Sequence, residues 1–132
     1  MNFLLLTNTK KLFINLKFKY FIPVLIWTGI ITYLSAVSGN ALPKPLFKGF
    51  DKVAHFGVYF IEAYLWCYAF YKIKFKFISF YILSFCLAVF WGVFMEFCQE
   101  YIFIKRSIEF YDIIANTIGA LFGVICFKYI KI

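Results

Sequence analysis

The chain has 132 residues, is 64% hydrophobic and 25% aromatic, and carries a formal charge of +8. A mean hydropathy of +0.85 is far above that of soluble domains, which are roughly half apolar, so a soluble globular enzyme is excluded and one small integral membrane domain remains. The lysines cluster between apolar runs, so the partners they imply are anionic headgroups of membrane lipids, not nucleic acid.

Residues 1–19 mix apolar side chains with Lys10, Lys11, Lys17 and Lys19 and read as a basic segment on the cytoplasmic membrane face. Residues 20–37 are uncharged and approach the roughly 20 residues that cross about 30 Å of hydrocarbon, with Pro23 in the first turn, where its missing N–H costs least. This is the first expected span. Ala36, Val37 and Ser38, following a basic segment, also fit a signal-peptide cleavage site. Gly39, Asn40, Pro43, Pro45 and Gly49 then predict a loop.

The second expected span, residues 51–71, places Asp51, His55, Tyr59 and Glu62 along one helical face. Lys72, Lys74 and Lys76 interrupt before the third, residues 77–103, whose uncharged run ends in Glu96, Gln99 and Glu100, with Gly92 one turn before Glu96. Lys105 and Arg106 connect to the fourth, residues 108–130. Here Asp112, Asn116, Gly119 and Gly123 fall within roughly 40° of one another at about 100° per residue. A carboxylate, an amide and a Gly-x-x-x-Gly pair on one stripe must face protein rather than lipid. The glycines are packing residues, within one bundle or between two, so a homo-oligomer stays open. Glu62, about 16 Å inward from Asp51 at 1.5 Å per residue, marks the only polar path toward the midplane and leaves a channel the weakest reading.

Cys67, Cys86, Cys98 and Cys126 stand singly in apolar runs and read as small apolar residues. No metal or cofactor is expected. The one histidine offers a single imidazole, with Glu96 and Asp112 as the sole credible co-ligands. The fold class is all-α, a four-helix membrane bundle with short loops and residues 20–132 as its domain. Basic residues divide nine against five between alternate connections, which puts both termini in the cytoplasm of an inner membrane. Asp51, His55, Glu96, Gln99, Asp112 and Asn116 then gather at the outer face.

Asp51-Lys52-x-x-His55-Phe56-x-x-Tyr59, Glu96-x-x-Gln99 and Arg106 followed by Asp112-Ile113-Ile114-Ala115-Asn116-x-x-Gly119-Ala120-x-x-Gly123 together resemble the VanZ-like family of small bacterial membrane proteins. The resemblance covers about residues 20–130. It implies work at the cell envelope and a link to resistance to the glycopeptide teicoplanin, and it supplies no established biochemical activity.

From the residues themselves two classes of function follow. In an enzyme acting on a lipid-linked envelope intermediate, His55 or Glu96 is the general base, Asp112 orients the histidine, and Lys52 and Arg106 bind phosphate. In a binding or accessory protein the same pocket, with Asp51, Tyr59, Gln99 and Asn116, holds a lipid, a glycopeptide or a partner protein and alters envelope access. Each residue also has a plainer role: first-turn acids at Asp51 and Asp112, snorkelling cations at Lys52 and Arg106, helix bridging by Asn116, and a buried Tyr59–Glu62 pair.

Overall fold

The computed structural model describes residues 17–37, 41, 44–76, 78–103 and 109–130. Arg106 and the basic segment up to residue 16 lie outside them. Among the described residues the fold is all-α, a bundle of four helices: α1 (Ile22–Ala36, led in by a 3-10 turn at Lys19–Phe21), α2 (Phe50–Lys72), α3 (Phe80–Tyr101) and α4 (Phe110–Ile130).

Local sequence accounts for the helix ends. Pro23 occupies the first turn of α1, and Val37 turns extended to end it. Gly49 starts α2 from a left-handed φ of 89°, a conformation open to glycine at little cost. Its carbonyl accepts from the N–H groups of Lys52 and Val53. At the far end of α2 the N–H of Lys74 reaches Tyr71 O and that of Phe75 reaches Phe70 O, closing the helix.

The bundle inverts the polarity of a soluble core. Glu62, Ser84, Glu96, Gln99, Asp112 and Asn116 are buried, while Leu25, Ile26, Ile82, Phe90, Phe122 and Ile125 are exposed. That distribution suits hydrocarbon outside and polar groups sequestered between helices. Midway along, Ala63, Ala88 and Ala120 form a fully buried small-residue layer that lets α2, α3 and α4 approach closely. The closest approach is between α2 and α4. A Cβ at Gly119 would overlap the carbonyl of Phe56, and one at Gly123 the carbonyl of Phe60. The Gly-x-x-x-Gly face is thus occupied within the chain.

Among the described residues, three helical stretches are long and apolar enough to cross a membrane: Lys19–Ala36, Phe80–Tyr101 and Phe110–Ile130. Four spans were expected, and α2 is the one that does not qualify. At 23 residues it has the length, but His55, Glu62 and its tyrosines dilute its apolar content. Two of them face the bundle: Tyr59 and Glu62 are buried, and Glu62 Oε1 lies 2.8 Å from Thr28 Oγ1 of α1 and accepts from Trp66 Nε1 at 3.1 Å. Glu62 therefore bonds to Thr28 and Trp66, not to Tyr59. Trp27 Nε1 donates to Val58 O at 3.0 Å, a second polar tie between α1 and α2.

Candidate functional site

The start of α2, the end of α3 and the start of α4 meet at one end of the bundle. Helical periodicity turns Asp112 and Asn116 of α4 inward, and Glu96 and Gln99 of α3 likewise. His55, one turn after Asp51, stands between them.

The imidazole is gripped on both edges. Its Nδ1 lies 3.0 Å from Asn116 Oδ1, its Nε2 lies 3.5 Å from Asp112 Oδ2, and Glu96 Oε1 is 4.0 Å from Nδ1. Asn116 can only accept through Oδ1, so Nδ1 carries the proton in that bond and the Nε2 edge turns to Asp112. Glu96 and Asn116 are each 2% exposed and Asp112 is 8% exposed, so water competes little for these contacts. Gly92 makes the room: a Cβ there would stand 3.2 Å from the Tyr59 ring and 3.3 Å from the Asn116 amide.

Lys52 lies at the centre of a second group. Its Nζ is 2.7 Å from Asp51 Oδ2 and also pairs with Glu109 and Asp112. Asp112 thus joins the lysine to the histidine. Sequence reading expected Lys52 to offer its charge to an anionic ligand, whereas here three carboxylates of the protein share that charge. With Glu96 added, four carboxylates stand around His55 and Lys52 among the described residues, a donor group suited to a cation. Gln99 turns the other way and reaches Ser35 O at the end of α1, at 3.5 Å.

A cavity of about 590 Å³ opens beside these groups, between α1, the segment leading into α2, and α2 itself. Ile31, Leu34, Leu46, Phe50 and Val58 line it with carbon, and Asp51, His55, Tyr59, Gln99 and Lys44 give it polar ground. Its size falls within the range of small-molecule sites, about 300–1,000 Å³, and its makeup is the usual one, mostly apolar with a few polar groups.

Of the residues singled out in the sequence, Asp51, Lys52, His55, Glu96, Asp112 and Asn116 stand in one group, Tyr59 and Gln99 border the cavity beside it, and Gly119 and Gly123 pack against α2. Sequence reading missed Glu109, Thr28 and Trp66, although the three-residue step from Glu109 to Asp112 and the four-residue step from Glu62 to Trp66 were available signals.

No curated protein and no solved structure matches this chain. A model of the VanZ/LLP1 family does, over residues 2–131, nearly the full length. With the membrane-suited bundle, that match makes the chain a VanZ-like membrane protein, a member of the VanZ/LLP1 family.

Proposed function

We propose that this protein is a four-span protein of the bacterial inner membrane, with both termini in the cytoplasm, and that it holds a lipid-linked, anionic envelope ligand at its outer face. One observation carries the reading: the cavity at the polar end has a carbon-lined wall running beside His55, Tyr59 and Gln99. An amphiphile matches that division, its chain against Ile31, Leu34 and Val58 and its head toward the polar groups. Through such a ligand the protein alters envelope access and, in a host exposed to glycopeptides, susceptibility to teicoplanin. The close α2–α4 seam supports the fourth span, because a helix held backbone to backbone against an apolar crossing helix lies at the same depth. The cytoplasmic termini rest on the basic-residue count.

The test is capture. Protein purified from membranes in mild detergent is extracted, and its lipids are identified by mass spectrometry beside those of Ala54→Trp, which fills the cavity. The reading expects lipid-linked phosphate on the wild type and at least a tenfold loss in the variant; equal amounts on both would refute it. A catalytic reading of the same site is favoured by the imidazole set between Asn116 and Asp112, an arrangement suited to a general base. Under it, His55→Ala and Glu96→Gln lose the phenotype of the gene, and a phenotype kept in both variants would rule catalysis out.

A further inference from the structure

The donors His55, Glu96 and Asp112 each offer one ligand atom, and these atoms lie within 4.8 Å of one another. They come from three helices and are the set the sequence offered as the sole credible ligands, although no metal was expected there. We infer that His55, Glu96 and Asp112 form a site for one divalent transition-metal cation of the Zn²⁺ or Mn²⁺ type, with an open position toward the cavity.

Three features of the geometry support the ion. First, two ligands each about 2.1 Å from a tetrahedral metal stand about 3.4 Å apart, and His55 Nε2 and Asp112 Oδ2 are 3.5 Å apart. Glu96 Oε1 lies 4.0 Å from Nδ1 of the same imidazole and offers an oxygen within 4.8 Å of the other two donors, so a rotation of its flexible side chain toward Nε2 completes the set. Second, the histidine is already oriented as metal-binding histidines are: Asn116 Oδ1, 3.0 Å from Nδ1, fixes the tautomer whose Nε2 lone pair is free to coordinate. Third, Asn116 is 2% exposed, and its Nδ2 has no hydrogen-bond partner among the described residues. A buried donor without an acceptor is uncommon, and a water or ligand oxygen held by the ion would supply the acceptor.

The donor set selects among cations. One imidazole with two carboxylates suits Zn²⁺ and Mn²⁺, whereas Mg²⁺ prefers oxygen and water. The second acidic group, Asp51, Glu109 and Asp112, is filled by the Lys52 ammonium and takes no ion. As a grip for the ligand's anionic head, the ion rests on the function proposed above; as a site in the protein, it does not. It resolves a difficulty of that reading, since a carboxylate-rich end can hold an anion through a bridging cation.

The experiment titrates purified, EDTA-stripped protein in detergent with Zn²⁺, Mn²⁺ and Mg²⁺ by calorimetry, with Cys67, Cys86, Cys98 and Cys126 replaced by alanine so that thiols bind nothing. One Zn²⁺ or Mn²⁺ per chain at micromolar affinity or tighter is expected, with at least tenfold preference over Mg²⁺. His55→Ala and Glu96→Gln should each weaken it at least tenfold, and Asp51→Asn should leave it within twofold. No stoichiometric binding by the unsubstituted site, or binding lost in Asp51→Asn and kept in His55→Ala, overturns the inference. Circular dichroism of each variant separates loss of the ion from loss of the helices. The lipid capture assay fails independently: an ion bound by protein that carries no lipid upholds the site and overturns the ligand reading.

Discussion

Gly119→Ala separates two opposing effects of known size. In an exposed helix interior, alanine is better than glycine by about 1 kcal/mol. At Gly119 the new methyl would collide with the O, C and Cα atoms of Phe56, backbone that has no rotamer with which to yield. Overpacking costs about 1–3 kcal/mol, and a collision with backbone belongs at the top of that range, so the net loss should be about 2 kcal/mol. Gly57→Ala is the control, since among the described residues nothing lies within 4 Å of its Cβ; with no clash to offset the helix preference, it should stabilise by up to about 1 kcal/mol. Equilibrium unfolding in mixed micelles, with helix content followed by circular dichroism, reads both. Equal stability of the two variants would refute the claim that α2 and α4 meet backbone to backbone.

Other substitutions test the polar interior. Glu62→Ala removes the acceptor of Trp66 Nε1 and the contact of Thr28 Oγ1, and should cost about 1–3 kcal/mol, as expected when buried donors lose their acceptor; Glu62→Gln, which keeps an oxygen there, should cost less than half as much in the same unfolding assay. Lys52→Met strips the buried Asp112 of its cation and should destabilise by about 2 kcal/mol, between the small worth of exposed pairs and the larger cost of orphaning a buried charge. Asp51→Asn removes an exposed member of the same group and should cost under about 1 kcal/mol.

The parts of this molecule legible in its sequence are those written within one helix. The stripe of Asp112, Asn116, Gly119 and Gly123 was readable because the helical period puts four such residues on one line, and all four are buried. The convergence of His55 with Glu96 and Asp112 followed from placing helix ends at one membrane face. Distances between helices were not legible. Whether the glycine face meets its own chain or another depends on how α2 lies against α4, and only the structure puts it on Phe56 and Phe60. Glu109 stands just ahead of α4, three residues before Asp112, and its capture of Lys52, a contact between two helix starts that no pattern within one helix reports, turns an apparent anion-binding cation into part of an internal charge network. The cavity arises from the separation of α1 and α2, which no residue pattern reports. α2 falls short of the other three helices in hydropathy because polar side chains that fill the bundle, Tyr59 and Glu62 among them, lower its average.

The most direct test of an outward-facing polar site uses single cysteines at Asn40 and Ser107, in the two connections that flank it, in a background lacking the four native ones. Intact cells are treated with a membrane-impermeant thiol reagent. Labelling at both positions without lysis is the predicted result, and it would make envelope lipids and glycopeptides the ligands to pursue. Labelling only after the cytoplasmic face is opened would contradict the account and turn the site toward cytoplasmic precursors.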